Sequence, residues 1–167
     1  MEGAAGNPGF DLIDPSQSGI RFTNALPIAA VLQNQNLLNG SGVAAGDVDG
    51  DGRPDLYFCA IRGTNALYLN RGQWGFEDVT DRYGVGCAGA QSTGAVLVDT
   101  EGDGDLDLLV TSLGHGLRLF RNEGGRQFLE VTREAGVAST TGSTSLAVGD
   151  VDGDGDLDVY VANYGAL

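Results

Sequence analysis

One acidic stretch of ten residues occurs three times in this chain, and it limits the possible folds more than any other feature. It reads Asp47-Val48-Asp49-Gly50-Asp51-Gly52-Arg53-Pro54-Asp55-Leu56, then Asp99-Thr100-Glu101-Gly102-Asp103-Gly104-Asp105-Leu106-Asp107-Leu108, then Asp150-Val151-Asp152-Gly153-Asp154-Gly155-Asp156-Leu157-Asp158-Val159. Carboxylates at the first, third, fifth and ninth positions crowd one short loop and repel one another. A hard divalent cation removes that repulsion. Ca²⁺ suits it best, because it accepts about 6–8 oxygens in a tolerant geometry, whereas Mg²⁺ demands a stricter octahedron. The fourth and sixth positions are glycine in every copy, as a loop that turns sharply around an ion requires. The backbone carbonyl of the seventh residue (Arg53, Asp105, Asp156) is a further oxygen, which leaves that side chain free to face water.

The loop is not an EF-hand. That loop needs a bidentate Glu at its twelfth position between two helices; here the twelfth residues are Phe58, Val110 and Val161. Short apolar, β-branched and aromatic runs follow each loop, so the loops join strands. The plainer alternative is an Asp-Gly hairpin turn with no metal, and three copies at a spacing of roughly 50 residues weigh against it.

The chain divides accordingly. Residues 1–41 form an N-terminal segment: a frayed end over 1–9, strands expected at 10–14 and 19–23, and a stretch from 25 to 40 that fits a short helix or a strand. Residues 42–93 are the first repeat, with strands at 42–46, 56–61, 66–70 and 76–80. Residues 94–142 copy it, with strands at 94–98, 108–113, 117–122 and 128–132. Asn70 corresponds to Asn122, Phe76 to Phe128 and Gly84-Val85 to Gly136-Val137. Residues 143–167 start a third repeat with strands at 143–149 and 159–163. Four short strands per repeat make the blade of a β-propeller. The fold class is therefore all-β, with about two and a half tandem four-stranded blades and an N-terminal segment that completes a blade or pairs with a neighbour. Small residues (Ala44, Ala45, Ala95, Ala147 and adjacent glycines) mark the innermost strands.

The net charge of −14 disfavours nucleic acid and anionic membranes as partners. All nine cationic residues are arginine. Cys59 and Cys87, the only cysteines, fit two buried thiols or one disulfide of a secreted protein. Residues 1–4 show neither a charged start nor an apolar run, so a leader has been removed or the chain is part of a longer one. Loops this acidic suit the millimolar calcium outside cells, which points to an extracellular or cell-surface setting. Asn39-Gly40-Ser41 matches the N-glycosylation sequon, and residues 139–145 form a Ser/Thr-rich linker.

The combination Gly-Val-Ala-x-x-Asp-x-Asp-Gly-Asp-Gly-x-x-Asp-Leu, Leu-Tyr-x-Asn and Phe-x-Asp-Val-Thr-x-x-x-Gly-Val resembles FG-GAP/VCBS-type repeats, and more narrowly the ASPIC/UnbV and cartilage-acidic-protein group. The likeness covers nearly all of residues 10–165. It implies a seven-bladed, integrin-α-like propeller with Ca²⁺ in its blade loops. Carried over residue by residue, the implied ligands are Asp47, Asp49, Asp51, the Arg53 carbonyl and Asp55; Asp99, Glu101, Asp103, the Asp105 carbonyl and Asp107; and Asp150, Asp152, Asp154, the Asp156 carbonyl and Asp158. That is about three Ca²⁺, one per loop. Two departures stand out: Glu101 replaces the usual Asp, and two and a half blades do not close a ring of about four to eight. Closure then comes from more chain or from a neighbouring subunit, with head-to-tail strand donation as one route to filaments.

The expected function is a non-catalytic, calcium-stapled module with a structural, adhesive or assembly role and a protein or self-association partner. A carbohydrate-binding module is the alternative, with Trp74 in a turn as its stacking residue. The third class is part of a larger propeller hydrolase or lyase. His115, the single histidine, lies in a Gly-His-Gly hairpin tip, and no nucleophile elbow or phosphate loop is present.

Overall fold

The computed structural model describes residues 11–39 and 41–164. The first sheet has strands β1 (Val43–Gly46), β2 (Asp55–Phe58), β3 (Ala66–Asn70) and β4 (Phe76–Asp78), adjacent in that order and all antiparallel. The second repeats it with β5 (Gln91–Val98), β6 (Asp107–Leu113), β7 (Gly116–Asn122) and β8 (Phe128–Glu130). The third holds β9 (Gly142–Gly149) paired with β10 (Asp158–Tyr164). These are the propeller-like blades expected, and every strand expected from residue 42 onward is present within a few residues of its anticipated ends.

β4 stops short of the expected Thr80 for a local reason. The Asp78 carboxylate accepts the Thr80 N–H at 3.0 Å, and the Thr80 hydroxyl accepts the Leu67 N–H at 3.0 Å. Side chains thus replace the ladder, and Thr80–Tyr83 winds into a single helical turn.

The N-terminal strands do not form. Phe10 and the end over 1–9 lie outside the described residues, and 11–14 hold no strand. A helical turn, α1 (Pro15–Ser18), follows instead: Asp14 caps it by accepting the Ser16 N–H at 2.7 Å, and Pro15 opens it. The expected strand at 19–23 is an irregular segment laid across the first blade. Phe22 stacks on Phe58 with ring centroids 5.1 Å apart, Tyr68 Oη accepts the Arg21 N–H at 3.2 Å, and Asn24 Oδ1 accepts the Ile61 N–H at 3.2 Å. The segment thus spends its ring and its backbone groups on the blade's side chains rather than on a ladder with the neighbouring edge strand β4. Of the two options for 25–40 the helical one is realised, as α2 (Ile28–Gln33) and a 3₁₀ turn (Gln35–Asn39). Leu26, Ala30 and Leu37 there pack on Ile61 and Leu113. Gly40 of the sequon lies outside the described residues.

The main core fills the space between the first two blades: Val48, Tyr57, Leu67, Leu69, Val79, Tyr83 and Val85 from one side, Leu108, Val110, Phe120 and Phe128 from the other. The inner strands β1, β5 and β9 lie side by side, and their small residues permit it. A Cβ on Gly42 would stand 2.9 Å from Gly94 Cα. Behind them, Asn65 Nδ2 donates to Tyr57 Oη at 2.7 Å and to Ser92 Oγ at 2.9 Å, its Oδ1 accepts the Ala60 N–H at 2.8 Å, and Tyr57 Oη donates to the Val85 carbonyl at 2.7 Å. Cys59 and Cys87 are buried free thiols, so the thiol alternative holds and the disulfide does not. Burial pushes the Cys59 thiol up to about 12.

Candidate metal centre

Each acidic loop joins the first two strands of a blade: loop 1 between β1 and β2, loop 2 between β5 and β6, loop 3 between β9 and β10. The shared glycines adopt left-handed backbone, with φ +73° and +84° at Gly50 and Gly52, and near-identical values recur in loops 2 and 3. A Cβ would meet open space at Gly50 and Gly52, so glycine is required there by conformation rather than by crowding.

The first carboxylate organises the turn. Asp47 accepts the N–H groups of Asp51 at 3.1 Å and Gly52 at 2.7 Å. Asp99 accepts those of Gly102, Asp103 and Gly104, and these bonds hold its carboxyl below the usual range, Gly104 contributing most. Asp150 accepts those of Gly153 and Gly155. The ninth carboxylate locks the loop to its sheet. Asp55, fully buried, accepts the Val48 N–H at 2.9 Å and the Asn70 N–H at 2.7 Å. Asp107 accepts the Thr100 and Asn122 N–H groups, and Asp158 accepts that of Val151. Burial raises the Asp55 carboxyl above its ordinary value, the two hydrogen bonds oppose that, and Asp49 and Asp47 add to it.

Among the described residues two sets of carboxylates converge, each with its oxygens within 4.8 Å of one another: Asp47, Asp49 and Asp55 in loop 1, and Asp150, Asp152 and Asp154 in loop 3. Asp49 Oδ1 is buried and has no hydrogen-bond partner. Asp51 stays outside the first set because its carboxylate closes on the Arg53 guanidinium, which also donates to the Asn70 carbonyl at 2.9 Å. The Arg53 side chain therefore does not simply face water. Asp158 stays outside the third set. In loop 2, Asp99, Glu101, Asp103 and Asp107 form no such set; Glu101 faces Arg121, 3.9 Å away. Asp105 and Asp156 spend their N–H groups on Asp103 and Asp154.

The family model for FG-GAP-like repeats matches residues 47–110 and 99–161, each match running from one acidic loop through the next. The chain belongs to the FG-GAP-like repeat family. It is also similar to cartilage acidic protein 1 of Xenopus tropicalis, at 27% identity over 139 residues, or 81% of this chain. The chain spans 21% of that relative's length.

Within the FG-GAP-like frame the structure adds residues that loop composition does not reveal. Asn70 and Asn122 each sit behind a loop. Asn122 Nδ2 donates to the Leu106 carbonyl at 3.1 Å and, across the blade boundary, to the Val48 carbonyl at 2.9 Å; its Oδ1 accepts the Gly125 N–H. Their recurrence at matching positions was the available signal. Arg71 is the other addition. Its Nη1 donates to Asp49 Oδ2 at 3.2 Å while Nε and Nη2 donate to Glu77 Oε2 at 2.8 and 2.7 Å. No sequence signal marks it, since the matching residue of the second repeat is Glu123. His115 lies exposed in the β6–β7 turn, away from any converging set. Trp74 is 61% exposed in the β3–β4 turn.

Proposed function

We propose that this chain is a calcium-stapled, non-catalytic β-propeller module acting outside the cell as a structural or adhesive surface. The observation that carries the reading is Asp49 Oδ1, a buried carboxylate oxygen without a partner beside Asp47 and Asp55. Such an atom is costly unless something positive meets it, and a donor set made only of oxygens suits Ca²⁺. Asp47, Asp49 and Asp55 would hold one ion, and Asp150, Asp152 and Asp154 another. The loop 2 residues Asp99, Glu101, Asp103 and Asp107 would have to gather before holding a third. The ion supplies charge neutralisation and fixes the register of the two strands it joins.

The extracellular assignment rests on the acidity of the loops and on the likeness to cartilage acidic protein 1. Among the described residues no helix is long and apolar enough to cross a membrane. The partner surface includes the edge of β10 that pairs with no strand among the described residues, and a groove lined by Leu119, Val131, Val137, Leu157 and Val159 together with the charged Glu101, Arg121, Glu130 and Glu134. A strand from a further blade or a neighbouring subunit fits that edge. Donation of residues 10–24 to a neighbour would first require Phe22 to leave Phe58.

Chelation tests the reading. Binding to the folded form at a hundredfold excess over Kd adds about 2.7 kcal/mol, so thermal melting in excess EGTA should fall several degrees below melting in millimolar Ca²⁺. An unchanged Tm after verified metal removal would refute it. A second reading, glycan binding, is favoured by the exposure of Trp74. A glycan array with Trp74→Ala as control separates the two.

A further inference from the structure

The three loops share a pattern but differ in countercharge. Loop 1 carries four carboxylates, and two arginines close on it: Arg53 on Asp51 and Arg71 on Asp49. Loop 3 carries five carboxylates, and among the described residues no arginine reaches them. Arg71 is held from its far side by Glu77, so its guanidinium is fixed beside Asp49 rather than swinging freely. At the matching position of the second repeat stands Glu123, which turns to Arg121 instead.

We infer that Arg53 and Arg71 act as loop 1's own counterions and lower its affinity for a divalent cation. The inference rests on the calcium reading and adds to it a charge that sets the affinity of loop 1. Arg71 acts on the site by charge, not as a ligand: it lies within a few ångströms of the oxygens a cation would use. Repulsion of a dication by one fixed positive charge at that range, discounted for the arginine's exposure, amounts to about tenfold in affinity. Arg53 already claims Asp51, which removes one ligand as well as adding charge.

Site-resolved titration tests this. In ¹⁵N-labelled, chelator-stripped protein, the amides of Gly52 and Gly155 report loops 1 and 3 separately, since each donates to the first carboxylate of its own loop. With Ca²⁺ as the probe, each glycine gives the midpoint of its own loop. Arg71→Gln should move the Gly52 midpoint about tenfold lower and leave Gly155 in place, and the shift should shrink in high salt. Arg71→Lys, which keeps the charge, should stay within about threefold of the parent and guards against a folding defect in the first variant. A Gly52 midpoint that is unchanged or higher in Arg71→Gln overturns the inference while the calcium reading stands. No response at either glycine overturns the calcium reading itself.

Discussion

Replacing Asn122 by alanine isolates the bond that ties one blade to the next. The side chain is 3% exposed and makes three hydrogen bonds: to the Leu106 and Val48 carbonyls, and from the Gly125 N–H. Alanine removes all three and keeps the backbone bond to Asp107. Each lost bond is worth about 0.5–1.5 kcal/mol, and each buried group left unpaired costs about 1–3 kcal/mol. Partial relaxation lowers the sum, and a net loss of about 2–4 kcal/mol is expected. The same substitution at Asn70 is the internal control. Its amide reaches the Pro54 carbonyl of its own loop, its Oδ1 accepts the Gly72 N–H, and among the described residues its side chain bonds to no second blade. Asn70→Ala should cost about 1–2 kcal/mol, and the difference between the two is the inter-blade term. Urea unfolding followed by far-UV circular dichroism, in saturating Ca²⁺, measures both. For a chain of this size 1 kcal/mol corresponds to about 2–4 °C in Tm, so melting gives a second reading. Equal losses within about 0.5 kcal/mol would show that the Val48 contact adds nothing and that the boundary is held by apolar packing alone.

Further outcomes follow from the same structure. Gly42→Ala places a Cβ 2.9 Å from Gly94 Cα, so it should separate the inner strands and cost about 1–3 kcal/mol, while Gly52→Ala, with open space but φ +84°, should cost about 1–2 kcal/mol through backbone strain alone; urea midpoints read both. Asn65→Ala should destabilise by about 2–4 kcal/mol, because Tyr57, Ser92 and the Ala60 N–H all lose a buried partner; an effect under 1 kcal/mol would refute that network. Cys59 and Cys87 should resist a thiol reagent in the native protein and react on unfolding. The folded Cys59 value lies above its unfolded one near 9, so its stabilising contribution is complete below pH 9 and is lost as pH rises toward 12, which the urea midpoint should show. Trp74→Gly should leave stability unchanged or raise it by up to about 1 kcal/mol, since Trp74 sits exposed at φ +64°; a marked loss would mean the ring packs on a partner.

What the sequence determined by itself was whatever repeats or is local. Strand-loop-strand units recur because apolar runs, paired glycines and spaced aspartates impose the same short-range geometry each time. The three loops, the blade order and the small inner residues were legible for that reason. The first aspartate's hydrogen bonds to its own turn are local too. Tertiary structure decided the rest. Residues 10–24 have strand-like patterning, yet 19–24 lie flat on a blade face, because the alternation that suits a sheet edge also suits an apolar surface and only the fold says which is adjacent. The cysteines stayed apart as thiols, although their spacing allowed a bridge. The folded loops also gather their carboxylates differently: Asp47, Asp49 and Asp55 converge in loop 1, and Asp150, Asp152 and Asp154 in loop 3. Arg71 reaches Asp49 only because β3 returns beside loop 1, a contact that the loop's own ten residues do not announce.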